Sequence, residues 1–79
     1  KVVLSDRQKE VLGTLGYFGN ERSYPEIAEH MNISLDGFQT HIHQIKKILN
    51  ISGSGGKEQL IHYAKENNFI QYARVKNNR

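Results

Sequence analysis

Four histidines and an adjacent pair of lysines are the side chains in this 79-residue sequence most able to do chemistry. Two of those histidines and both lysines fall in one stretch, SLDGFQTHIHQIKKILNI, residues 34–51. Such a set could ligate a metal, take part in proton transfer, or meet an acceptor-rich surface. His41 and His43 are two positions apart, which on a helix turns them about 200° from each other, so they cannot share one ion. His30 and His62 lie on other segments, and the chain has no cysteine. No carboxylate stands at ligand spacing, so neither a metal nor a cofactor is expected. No glycine-rich loop follows a strand pattern, and SGSGG at residues 52–56 reads as a linker rather than a phosphate cradle. Ser, His and Asp are present, but nothing in their spacing fixes a nucleophile against a base, so the chain is not expected to be an enzyme. Hydrogen bonding to an acceptor-rich partner remains.

The elements that must position these residues are helices. Leu35, Phe38, Ile42, Ile45 and Leu49 recur at helical spacing and line one side of an α-helix, with Ser34 ahead of them as N-cap. The other side carries Gln39, Thr40, His43, Lys46, Lys47 and Asn50, none of them acidic. Upstream, Ser5 and Gln8 form a capping box before Val11, Leu12 and Leu15, and Gly16 and Gly19 are expected to end that helix. Ser23 and Glu26 form a second capping box with Pro25 in the first turn. Ile27, Ala28, Met31 and Ile33 supply its apolar side, and Asn32 is a stop. The connection from there to Ser34 is so short that the second and third helices must cross steeply, as in a helix-turn-helix. A fourth stripe, Leu60, Ile61 and Ala64, spans about residues 57–67, after which Phe69 and Ile70 fold back on the core. The expected fold is all-α: four helices containing a helix-turn-helix, with the third helix turned outward.

Composition sets the outer limits. A chain of 79 residues makes one domain near the lower size at which a single core holds, and without cysteine its stability must come from helix packing. No apolar run approaches the ~20 residues that span a bilayer, and the N-terminus lacks a signal-peptide core, so a soluble, cytoplasmic domain is expected. Lys1 in place of Met is expected of a piece of a longer protein. The formal net charge of +3 and a pI near 9.3 tilt the balance toward an anionic partner.

Double-stranded DNA fits that description. A helix about 11 Å across enters the major groove if its outer side is polar. Gln39 can pair with adenine N6 and N7, His43 can donate to guanine or to a phosphate, and the Thr40 methyl can touch a thymine methyl. Lys46 and Lys47 come later on the helix, where phosphates lie, and add affinity rather than sequence choice. Ser34 and Gly37, at the start of the helix, complete the candidate DNA-binding set; glycine there would let the backbone approach a phosphate closely.

The order of motifs resembles a known family. LSDRQKEVL at residues 4–12, then Glu26-Ile27-Ala28, Ile33-Ser34, His41-Ile42, Ile45, Leu49, Ile51, Tyr63-Ala64 and Phe69-Ile70, is similar to the DNA-binding domain of the LuxR family. That family includes the output domains of NarL-type response regulators and bacterial quorum-sensing activators. The resemblance covers residues 4–70 and leaves 71–79 as a basic C-terminal tail. It implies a four-helix bundle whose third helix reads the major groove and whose fourth packs across a dimer interface, where Gln59, His62 and Tyr63 would lie. It places the base contacts on Gln39, Thr40 and His43, and a structural Arg–Glu pair on Arg7 and Glu10. Expected partners are promoter DNA and a second copy of the chain, paired weakly through the fourth helix. RNA polymerase is a further partner that a promoter-bound domain can contact. The sequence departs from the family pattern at Gly37, where threonine is usual, at Phe38 in place of valine, and at Gln39, where a basic residue is common.

Two other functions fit the same helices. Region 4 of a sigma factor resembles the first three but normally ends soon after its recognition helix, whereas this chain continues into a fourth. A protein-interaction module that has kept the fold and lost DNA would account for Gly37 and Gln39.

Overall fold

Among the described residues, three of the four α-helices begin where a serine oxygen takes up an orphan backbone N–H. In the computed structural model, which describes residues 2–75, Ser5 Oγ accepts from the Gln8 N–H at 3.1 Å and Gln8 Oε1 accepts from the Ser5 N–H at 2.9 Å. This box starts α1 (Asp6–Phe18). Ser23 and Glu26 repeat it ahead of α2 (Tyr24–His30), and Ser34 caps α3 (Leu35–Leu49) by accepting from the Gly37 N–H at 3.0 Å. The fourth helix, α4 (Gly56–Glu66), starts at Gly55 without a side-chain cap. Short 3₁₀ turns follow α1 (Gly19–Glu21) and α4 (Phe69–Tyr72), and no strand occurs among the described residues.

Asparagine ends what serine begins. Asn32 and Asn50 adopt left-handed backbone, with φ of 63° and 61°. After α2 the Ile33 N–H donates to Ala28 O, and after α3 the Ile51 N–H donates to Lys46 O, so the last carbonyls of each helix are satisfied by a reversal of the chain. The reversal at Asn32 leaves only residues 31–34 between α2 and α3.

The core is a single cluster around α1, which packs against α3, α4 and the second 3₁₀ turn. Val11, Leu12, Leu15, Ile27, Phe38, Ile45 and Leu60 are fully buried. Gly16 does not end α1 as its residue type suggested. It is buried inside the helix, and a Cβ there would stand 2.7 Å from Ala64 Cβ and from Ile70 Cδ1. Gly13, one turn earlier, faces the backbone of Phe69 and Ala73 in the same way. The two glycines let α1 meet α4 and the 3₁₀ turn at close range, which is a packing role.

Leu35 is also placed differently. The apolar stripe of α3 reaches the core at Phe38, Ile42 and Ile45, but Leu35 is 37% exposed, in a hollow formed by α2 and the 31–34 connection. Residues 71–74 of the expected C-terminal tail lie on α1. The Arg74 N–H donates to Thr14 Oγ1 at 2.8 Å, and the Arg74 guanidinium reaches Glu10 at 3.4 Å. Residues 76–79 of the expected basic tail lie outside the described residues. Among the described residues no helix is long and apolar enough to cross a membrane.

Candidate nucleic-acid interface

Burying Phe38, Ile42 and Ile45 fixes which side of α3 faces out. Asp36, Gln39, Thr40, His43, Gln44 and Lys47 are all exposed and line one open hollow along the helix. Four of the seven residues proposed from the sequence therefore have distinct fates from the other three: Gln39, Thr40, His43 and Lys47 come together, while Lys46, Ser34 and Gly37 do not join them.

Within the hollow, the Thr40 hydroxyl donates to the carbonyl of Asp36 at 2.9 Å, one turn back. That bond uses the hydroxyl's one proton and leaves the methyl and an acceptor oxygen as what Thr40 can offer to a partner. His43 and Gln39 keep their polar atoms for outside contacts, and among the described residues no hydrogen bond involves either side chain. Lys47 is exposed at the far end of the same hollow.

Lys46 sits elsewhere. It is half-buried, and its Cε and Nζ would both stand 2.9 Å from a Cβ on Gly56, so the side chain lies across the first residue of α4. The Ser34 hydroxyl oxygen accepts from the Gly37 N–H, so that N–H is not free for a phosphate, while the Ser34 O–H keeps its proton to donate. His41, one of the anchors of the family resemblance, is half-buried with Nδ1 shielded and without a hydrogen-bond partner. It is on a different side of α3 from His43.

Two residues of the hollow were not anticipated. Asp36 corrects the expectation that the outward face has no acid; it stands one turn before Thr40 and two turns before His43, so it shares their side of the helix. Gln44 lies one turn after Thr40 at the margin nearest α1, and its Oε1 accepts from Gln8 Nε2 at 3.1 Å. The spacing of four from Thr40 was the available signal for both.

Supporting contacts brace the α2–α3 corner. Tyr24 meets Phe38 edge to face with ring centroids 5.4 Å apart, and burial raises the Tyr24 hydroxyl above its ordinary pKa. Lys57 Nζ donates to Arg22 O at 2.8 Å and stands 5.4 Å over the Tyr24 ring, tying the start of α4 to the start of α2. The Glu26 carboxylate is held below its ordinary range, chiefly by the Ser23 backbone N–H, then by the Ser23 hydroxyl, with Arg22 and Lys57 adding attraction. In α1, Arg7 and Glu10 pair at 3.0 Å. Away from α3's hollow, Gln59, His62 and Tyr63 line a groove floored by Leu49 and Ile51 and flanked by Glu58 and Glu66. Among the described residues no three His, Asp or Glu side chains converge as a metal site would require. Set beside known families, curated proteins and solved structures, the chain matches none of them.

Proposed function

We propose that this chain is a helix-turn-helix domain that binds double-stranded DNA sequence-specifically, as LuxR-type output domains of bacterial transcriptional regulators do, with α3 as the recognition helix. The observation that carries the reading is the hollow on α3. Gln39, Thr40 and His43 stand together, exposed, on a helix whose other side is locked into the core. Their groups match base edges: an amide for adenine, an imidazole for guanine or phosphate, and a methyl for thymine. Lys47 supplies a phosphate contact at the end of the helix. Lys46, drawn over Gly56, contributes to the field around α3 rather than to a defined contact. Ser34 and Gly37 act by fixing the first turn of α3.

The reading includes weak pairing of two copies through α4, supported by the partly apolar groove beside Tyr63. The alternative of a protein-interaction module is favoured by one observation: Asp36 sits inside the hollow and opposes phosphate. Fluorescence anisotropy with labelled promoter-length duplexes across a salt series separates the two. A DNA-binding domain loses affinity as salt rises, with a shallow slope because few cations are engaged. Absence of binding to any such duplex at low salt would leave the interaction module.

A further inference from the structure

Gln44 is tied to the start of α1 by a run of directed hydrogen bonds. The Ser5 backbone N–H donates to Gln8 Oε1 at 2.9 Å. A backbone N–H can only donate, so the oxygen of the Gln8 carboxamide must face it and the nitrogen must face away. That nitrogen, Nε2, donates to Gln44 Oε1 at 3.1 Å. The two carboxamides, whose ends are otherwise nearly interchangeable, are thus oriented from the cap of α1 outward. With the Gln44 oxygen turned to α1, its Nε2 is the atom left for the hollow, and that atom is a donor only.

Resting on the DNA reading above, we infer that Gln44 is a phosphate contact of this interface, and that Gln8 is the positioning residue that holds its amide N–H toward the DNA. The choice of phosphate over a base edge follows from placement. Gln44 lies about 100° further round α3 than His43 and borders α1, at the margin of the hollow where a docked helix meets the sugar-phosphate backbone. A neutral donor aimed at an anionic oxygen adds affinity and register without reading sequence. It also gives α1 a part in binding, since the capping box that starts α1 sets the direction of the contact.

The test uses Gln8→Glu and Gln44→Ala in the full chain, singly and together. Glutamate at position 8 retains the capping box, as Glu26 does with Ser23, but has no N–H to give Gln44. In the free protein, the side-chain amide resonances of Gln44 should shift on Gln8→Glu while the melting temperature holds; resonances that do not move overturn the relay regardless of DNA. Binding is then read by anisotropy on a set of duplexes of unrelated sequence. Gln44→Ala should weaken all of them alike, by about tenfold or more for one hydrogen bond to a charged oxygen. Gln8→Glu should reproduce most of that loss, and should cost clearly less when Gln44 is already alanine. Equal costs in both backgrounds would mean that the added charge alone acts, and would overturn the positioning role. A loss confined to some sequences would make Gln44 a base reader and overturn the phosphate assignment. If the wild-type chain binds no duplex at low salt, the DNA reading itself falls, whereas wild-type binding with an indifferent Gln44→Ala removes only this inference.

Discussion

Alanine at Gly13 and alanine at Gly37 are the same chemical change in two helices, and the structure assigns them opposite signs. Relieving a helix of glycine is worth up to about 1 kcal/mol at either position. At Gly37 the new Cβ meets one atom, Ser34 Oγ at 3.1 Å. That is close, but Gln8 and Glu26 occupy the equivalent third position of their helices, carry side chains, and still donate their N–H to a serine cap. The adjustment is therefore small, and Gly37→Ala should stabilise the fold by about 0.5–1 kcal/mol. At Gly13 the Cβ would run into the carbonyl oxygen of Phe69 and stand 3.0 Å from Ala73 N and 3.2 Å from Tyr72 C. These are backbone atoms held by the Arg74–Thr14 hydrogen bond and cannot swing aside as a side chain can. Overpacking typically costs about 1–3 kcal/mol, and an unyielding neighbour puts this site at the upper end, so the net effect after the helix gain is a loss of about 1–2 kcal/mol. For a domain of this size 1 kcal/mol moves the melting temperature by about 4–8 °C. Thermal unfolding followed by circular dichroism should show Gly37→Ala melting higher and Gly13→Ala melting lower than wild type. A Gly13→Ala protein as stable as wild type would mean that the 69–74 segment is not docked on α1, and a destabilised Gly37→Ala would mean that the Ser34 cap cannot tolerate the crowding.

Gln39→Ala and His43→Ala should each lose about 1–3 kcal/mol of discrimination between preferred and unrelated duplexes, whereas Lys47→Ala should weaken every duplex alike; indistinguishable profiles across a library of sites would refute that division. Asp36→Asn should raise DNA affinity, by no more than severalfold since unit charges 4 Å apart in water interact by about 1 kcal/mol, and the gain should shrink with added salt. Acid should remove part of the fold's stability through Glu26: its folded pKa lies below the ordinary 4.5, so its contribution is present above that value and disappears as pH falls through the folded pKa. Glu26→Gln, which retains the capping geometry that Gln8 already uses, should therefore flatten the acid limb of a stability-versus-pH curve; an unchanged limb would place the acid sensitivity elsewhere.

The parts legible in the sequence are those that local rules determine. Ser5, Ser23 and Ser34 begin helices because each can take up a nearby N–H, and Phe38, Ile42 and Ile45 face the core because their spacing leaves no other arrangement. The misplaced parts depend on what arrives from far along the chain. Gly16 looks like a stop until Ala64 and Ile70 are packed against it, although its spacing of three from Gly13 already put both on one side of a helix. Lys46 counts as an outward cation until α4 passes beneath it. The docking of Arg74 on Thr14 joins residues 60 positions apart and has no local signature. At the candidate interface, the amide, methyl and imidazole at 39, 40 and 43 are legible from the stripe they oppose. Asp36 and Gln44 are legible only from rotation about the helix, which puts each four positions from Thr40, and not from residue type, since neither is a cation or an aromatic side chain.

Asp36 has a consequence for how such a domain could bind at all. Within the hollow it is offset by Lys47, so the face proposed to meet DNA offers little net attraction at neutral pH. Lys57 is engaged with Arg22 O and the Tyr24 ring, and Lys46 lies over Gly56, which leaves one copy with few cations aimed at phosphate. On the proposed DNA reading, affinity must then come from using two copies at once. The groove beside α4 suits that purpose poorly on its own: Leu49, Ile51 and Tyr63 offer apolar area, but Glu58 and Glu66 flank it, and a two-fold pairing brings the same acidic residues of both copies to one interface. Salt therefore acts in opposite directions, screening the glutamates that resist pairing while weakening the phosphate contacts. Fusing a dimerisation segment removes the first effect and leaves the second. It raises the effective concentration of the second copy into the millimolar range, and two α3 helices can then occupy half-sites about one helical turn apart. The fused protein should gain far more on a two-half-site duplex than on a single half-site, and its affinity should fall with salt without a rising limb. Equal gains on both duplexes would mean that each copy contributes charge alone, and that Gln39, Thr40 and His43 do not read DNA.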